Sequence, residues 1–339
     1  MAKKTFDLVQ LKDVELDLKV GLVDGLLDKV GISEIFGPSG SGKTFLAIDL
    51  AGRVAAGMVW NELEVERGPV VYLAAENPVS VKHRFWAWAR QHSKGDVPLY
   101  ILVSPLCLSG KEGHERTSDA IALAQQLKES NIEPRLIVID TLARSMQDDE
   151  NSTEAMSAYV RACELLRDAF DCHVLIVHHT GKDASRGARG SYALKAAIDT
   201  EIEVWKERGQ SQGAFTITKA RDGELEGKEY GFELTKVELG KNDKGRLVTT
   251  RVAVPGEVPE RSAKGDKLSM NEEMAKMAFE EIAKKGRAPF AEWREACERM
   301  FTTKRPDVSF RRSAHGLHKK GVVMNDGENA MNFVTWEQR

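Results

Sequence analysis

No stretch of the 339-residue chain comes near the roughly 18 consecutive apolar residues of a membrane-crossing helix, so none is expected. Cysteine is scarce. Cys107, Cys163, Cys172 and Cys297 are the only four, and no two stand in a CxxC pair, which argues for free thiols in a reducing cytosol. The opening residues Met1 to Asp7 lack the apolar core of a signal peptide. Together these absences predict a cytoplasmic protein with no membrane contact. Charge of one sign is lacking too: 49 basic against 52 acidic residues leave a net charge of -3. There is no global basic field, so any nucleic-acid contact must rest on local positive charge. No internal repeat or low-complexity segment is visible. What remains, 42% apolar and 30% charged residues, is ordinary for a globular chain, and the length suits two domains.

Between about residues 31 and 180, apolar runs alternate with helical patterns. The candidate strands are Ile32–Phe36, Val70–Ala74, Leu99–Val103, Leu136–Asp140 and Val174–His178. Several show no polar alternation, as expected of strands buried on both faces of a parallel sheet. Helices are expected from the glycine-rich turn through Leu46, Ala47, Leu50 and Ala51, from Pro78 through Val81, Phe85 and Trp88, and after Ser152 through Met156, Val160, Cys163 and Leu166. The alternation predicts a doubly wound α/β core. From 199 to 254, Glu201–Trp205, Ala214–Thr218, Tyr230–Leu234 and Leu247–Val252 read as a late β-meander completing the same sheet. The expected layout is therefore a domain over 1–254, a polar linker over 255–268 and a small module over 269–339. The order in that module, three helices and then two β runs around Asn325-Asp326-Gly327, resembles a winged helix-turn-helix.

Gly37-Pro38-Ser39-Gly40-Ser41-Gly42-Lys43-Thr44, followed by Phe45, fits G-x-x-x-x-G-K-[ST] between a strand and a helix. Such a loop turns backbone N–H groups and the helix N-terminus toward phosphate. Lys43 is placed to reach the β/γ-phosphates of ATP, and the Thr44 hydroxyl to hold Mg²⁺. Asp140, ending a buried strand downstream, is placed to hold the Mg²⁺ through water. It is followed by Thr141 rather than an acidic residue, so the water-orienting carboxylate must come from elsewhere. Glu76, closing the second apolar run, is the candidate; the alternative is a solvated helix cap ahead of Pro78. His178 and His179 end the fifth run. Neighbours in a strand face opposite ways, so they cannot easily share one metal ion. One of them touching the γ-phosphate or the water is the reading preferred, against a core or capping histidine.

With Tyr72-Leu73-Ala74-Ala75-Glu76-Asn77-Pro78, Ile139-Asp140-Thr141-Leu142, His178 to Lys182, Arg189-Gly190-Ser191 and Lys219 to Gly223, the P-loop region resembles the RecA-like core of the RepA-type plasmid and phage replicative helicases over about 15–240. The resemblance implies a mostly parallel RecA-like sheet and a homo-oligomer, a hexameric ring, acting on single-stranded DNA. It implies that Glu76 orients the water, that His179 senses the γ-phosphate, and that Lys219 and Arg221 reach a neighbouring subunit's site. Lys219 and Arg221 flank Ala220 at a strand tip, so both point to one side; an arginine supplied in trans stabilises charge on the transferring phosphate. A solvated basic hairpin is the alternative. The glycine-rich basic segment 180–190 carries Lys182, Arg186 and Arg189 and suits a loop contacting a phosphate backbone, or an ordinary surface loop. The resemblance makes it the DNA-contacting loop.

In the last module, Phe310, Ala314 and Leu317 fall on one helical face. Lys304, Arg305, Arg311, Arg312, Lys319 and Lys320 leave the other side basic, and Val322–Val323 with Met331–Val334 form the expected wing. That is a duplex-binding device, with Arg311 and Arg312 as the DNA contacts, or a protein contact with a solvated charge run. The functional expectation is a DNA-dependent ATP hydrolase of the replicative-helicase kind. A non-translocating recombinase, loader or regulatory ATPase is the competing reading. A small-molecule kinase is disfavoured, because no acceptor pocket or lid is visible.

Overall fold

Gly31–Gly37 form β1, and all seven residues are buried. A strand hidden on both faces belongs inside a sheet covered by helices on each side, and β1 lies there. In the computed structural model the described residues are 9–14, 21–109, 118–146, 148–179, 192–207, 209–221, 224–260, 269–283, 287–303, 305–319, 322–325 and 333–335. The chain divides into two compact units, Met1–Pro259 and Glu260–Arg339.

The first unit adds β2 (Val70–Ala74), β3 (Leu99–Leu102), β4 (Leu136–Asp140), β5 (His173–His179), β6 (Thr200–Trp205), β7 (Gln212–Ala220), β8 (Glu229–Lys241) and β9 (Leu247–Gly256). They form a nine-stranded sheet in the order β3-β2-β4-β5-β1-β6-β7-β8-β9. The pairs from β3 to β6 are parallel, and the meander β6 to β9 is antiparallel. This is the expected α/β class, a mostly parallel sheet with flanking helices and a late meander. β9 takes in Pro255 and Gly256, which the sequence reading assigned to the linker. It is the last strand of the sheet, where proline's missing N–H costs no ladder bond.

The alternation of each central strand divides the core. Ile35, Tyr72, Val138, Leu175 and Val177 face α1 (Lys43–Ala56) and α2 (Pro78–His92). Ile32, Val71, Leu73, Ile137, Ile139, Val174 and Ile176 face α3 (Ser118–Glu129) and α5 (Thr153–Phe170). The short helices α4 (Leu142–Ser145) and α6 (Tyr192–Ala197) complete the unit. Caps set where helices begin. The Asn77 side chain accepts from Ser80 N, with Pro78 at the first helical position of α2, and Ser152 accepts from Ala155 N at the start of α5. Among the described residues no helix is long and apolar enough to cross a membrane.

The second unit runs α7 (Met270–Ile282), β10 (Arg287–Pro289), α8 (Phe290–Met300), α9 (Pro306–Lys319), β11 (Met324–Asn325) and β12 (Phe333–Thr335). Ser269 and Glu272 form a reciprocal capping box that starts α7. Phe279, Trp293, Phe310 and Leu317 fill the core, and Trp293 Nε1 donates to the Ala275 carbonyl at 2.7 Å. The three strands form a small sheet in the order β10-β12-β11. The sequence reading placed the final β runs at Val322–Val323 and Met331–Val334. They sit one to two residues later, and β10 was not expected, since three residues show no readable period.

Candidate active site

Three glycines shape the loop after β1. Gly37 has φ 153°, and a Cβ there would stand 2.2 Å from the Val204 carbonyl oxygen. Gly42 caps α1 with φ 104°, a left-handed conformation that side chains other than glycine's resist. At Gly40 nothing lies within 4 Å of where a Cβ would be, so the loop backbone is open to a close ligand. Lys43 is buried, and its Nζ donates to the carbonyls of Gly37 (2.9 Å) and Pro38 (2.8 Å). Burial pulls its pKa down to about 8, with Asp140 and Glu76 opposing the fall. Buried Ser41 Oγ has no hydrogen-bond partner among the described residues.

β4 delivers Asp140 to the same place. Its Oδ1 accepts from Thr44 Oγ1 at 3.3 Å, and its Oδ2 accepts from Tyr72 OH at 2.7 Å. Burial raises its pKa to about 6, while Tyr72 and Thr44 hold it down. Glu76 stands two residues past β2, half-exposed, with Oε2 3.9 Å from His179 Nε2. Burial and the Lys43 charge lower the His179 pKa, which favours a neutral imidazole. Ser39, Gly40, Gly42, Lys43, Thr44, Phe45, Glu76, Asp140 and His179 all line one cavity of about 420 Å³, a size typical of ligand sites.

The expected phosphate, metal and water-orienting residues are thus brought together. The two histidines part as the strand rule requires. His179 enters the cavity, whereas His178 turns to the other face, where its Nδ1 lies 3.2 Å from Glu34 Oε2. Lys219 and Arg221 are not among the residues lining this cavity. Lys219 Nζ donates to Lys195 O at 2.8 Å, and Arg221 reaches Ala196 O and pairs with Asp199 Oδ1 at 2.8 Å. Both therefore bind the end of α6, whose carbonyls favour cations. Lys182, Arg186 and Arg189 lie outside the described residues. Arg311 and Arg312 are exposed on α9.

Sequence reasoning missed five cavity residues: Asn77, Ser80, Val81, Arg84 and Arg144. Arg84 lies over the Phe45 ring, 4.2 Å from its centroid. Its spacing from Glu76, about two helical turns on, was the only available signal. The hold of Tyr72 on Asp140 has no signal in the sequence, because it depends on the β2–β4 pairing that sets the two side chains on one face.

The profile of the AAA domain family matches residues 5–185, just over half of the chain. The chain belongs to the AAA domain family. A solved structure titled "ATPase Domain of G40P" aligns at 13% identity over 65% of this chain and 84% of that chain, with a TM-score of 0.44. An AAA domain binds nucleotide, and the donor set fits that group. The loop offers an open backbone, an unpartnered Ser41 hydroxyl and the Lys43 ammonium for phosphate, and Thr44 and Asp140 are the hard oxygen donors that Mg²⁺ takes. The ion would neutralise charge on the β/γ-phosphates when bound. In this AAA domain the Tyr72 hydroxyl donates to Asp140 Oδ2 and so orients the carboxylate that would hold the ion. Tyr72→Phe should therefore weaken the Mg²⁺ dependence of nucleotide binding on the order of 10-fold, with Mg²⁺-free binding unchanged. Titrating Mg²⁺ against a fluorescent ATP analogue checks this, and unchanged Mg²⁺ affinity would remove Tyr72 from the site's support.

Proposed function

We propose that this AAA domain protein is a DNA-dependent ATPase of replicative-helicase type, working as a ring of identical copies. Each copy supplies Lys43, Thr44, Asp140, Glu76 and His179 to its own cavity, and Lys219 and Arg221 to its neighbour's. One observation carries the reading. Two cations expected to act in trans sit together on the end of α6, outside their own cavity, with Arg221 half-exposed. Lys182, Arg186 and Arg189 would meet the single strand. The segment bearing them begins directly after His179, so a change at the cavity reaches it through one peptide bond. The second unit is read as a winged-helix-like module, placed after a linker that starts beyond Gly256. The exposed Arg311 and Arg312 of α9 would contact duplex DNA. Free thiols at Cys107, Cys163, Cys172 and Cys297 suit a cytoplasmic setting.

Those same α9 arginines favour one competing reading, a loader, recombinase or regulatory ATPase sited on duplex DNA that switches its assembly with ATP. Hydrolysis with and without single-stranded DNA, followed by strand displacement on a forked substrate, separates the two. The helicase reading expects stimulated turnover, unwinding, and closed rings in particle images with an ATP analogue. Stimulated turnover without unwinding, with open filaments, selects the competitor. Turnover indifferent to DNA overturns both.

A further inference from the structure

His179 enters the cavity, but its neighbour His178 does not. His178 is 1% exposed, on the sheet face away from the P-loop. Its Nδ1 lies 3.2 Å from Glu34 Oε2, and its Nε2 lies 3.9 Å from Glu150 Oε2. Glu34 is fully buried in the middle of β1, three residues before the loop's first glycine. A carboxylate stripped of water this completely needs a compensating charge, and His178 is the cation beside it. Burial alone would lower the His178 pKa, but the two facing carboxylates outweigh it and lift it to about 9. The adjacent His179 is pushed the other way. One dipeptide thus holds a charged imidazole on one face of the sheet and a neutral one on the other.

The members of this cluster come from three pieces of backbone, two of which are strands that end at the cavity. Glu34 belongs to β1, which runs into the P-loop. Glu150 belongs to the turn between α4, which follows Asp140, and Ser152, which caps α5. His178 belongs to β5, one residue before the imidazole that meets Glu76. We propose that His178 is a positioning residue, clamped between Glu34 and Glu150, that fixes the end of β5 and thereby keeps the His179 ring at Glu76 in the ATP cavity. It is not among the residues lining the cavity and acts through the backbone it shares with His179. Misplacement by about 1 Å of a group that orients a reactant costs on the order of 100-fold in rate.

The proposal rests on the reading of the cavity as a site of ATP hydrolysis, so the test has one arm that needs no turnover. In the full-length protein, His178→Gln and Glu150→Gln are compared with the parent chain for ATP-analogue affinity, KM, kcat and the imidazole NMR signals of His178 and His179. Glu150 is partly exposed, so its neutral isostere keeps the fold if the buried substitution does not. The expected result is a fall in kcat on the order of 100-fold for His178→Gln and about 10-fold for Glu150→Gln, with KM and analogue affinity within about twofold. In Glu150→Gln the His178 titration should move below its parent midpoint, and the His179 signals should shift although that ring is unaltered. Unchanged kcat in both variants overturns the proposal, as does an equal loss of affinity and rate with unchanged His179 signals. A parent chain that hydrolyses no nucleotide defeats the ATPase reading instead, and the His179 response to Glu150→Gln then decides the clamp alone.

Discussion

Glu76→Gln is expected to leave ATP binding near its parent strength and to cut hydrolysis on the order of 10²- to 10⁴-fold, the range for losing a general base. The residue stands just past β2 with its Oε2 3.9 Å from His179 Nε2, and it lines the cavity with Lys43, Thr44 and Asp140. Glutamine keeps the size and an acceptor oxygen but cannot take a proton from water. The change should not disturb α2, because the adjacent Asn77 supplies the cap through Ser80 N. It does remove one carboxylate whose charge raises the Lys43 pKa against burial. The sign is downward from about 8, so the two proteins should be compared below pH 7, where the ammonium form is favoured. Analogue affinity and single-turnover hydrolysis measured on one preparation check the prediction. Hydrolysis within a fewfold of the parent means that the water is oriented by another group, and Glu76 is then a solvated carboxylate at the cavity's edge.

The contrast between Glu76 and Arg84 shows what the sequence could and could not deliver. Glu76 and Asp140 were legible because each closes a run of buried apolar residues, and strand ends in a doubly wound sheet converge on the nucleotide crevice. Arg84 sits mid-helix on α2, where an arginine ordinarily belongs to the solvated face. Only the docking of α2 beside α1 puts its guanidinium over Phe45. The histidine pair was half legible. Alternation says that His178 and His179 part ways, but it does not say which faces the P-loop. The register does: His179 lies opposite Gly37 across the β1–β5 pair. Helix α3 was overlooked although Ala120, Leu123, Ala124 and Leu127 repeat at helical spacing and are buried. Its apolar side is built partly of alanine, which gives a faint hydrophobic signal. The residues expected to touch single-stranded DNA were named from composition and resemblance, and they lie outside the described residues.

Arg221→Ala is expected to lower steady-state hydrolysis on the order of 10³- to 10⁵-fold with nucleotide affinity preserved, as when a transition-state arginine supplied in trans is lost. Fold damage should be small. Arg221 is half-exposed and its pair with Asp199 is a surface pair, of a kind that contributes little to stability. Asp199 Oδ2 still accepts from Ile32 N at 3.0 Å, so the start of β1 keeps its anchor. The rival source of positive charge is Arg84, which already lines the cavity from its own chain. The two are separated by mixing. Arg221→Ala lacks only the cation that a copy lends, and Glu76→Gln lacks only the carboxylate that a copy keeps. Mixed in equal amounts in a symmetric ring, these two inactive proteins rebuild about a quarter of the interfaces with both groups intact. Turnover should then return to a sizeable fraction of the parent's. If Arg221 acts on its own cavity, no interface is repaired and the mixture stays as inactive as its parts; an Arg221→Ala protein that is active by itself means that Arg221 does not act at all. Arg84→Ala serves as the control: a mixture with Glu76→Gln should recover nothing, because Arg84 and Glu76 belong to one chain's cavity, and neither copy then holds both.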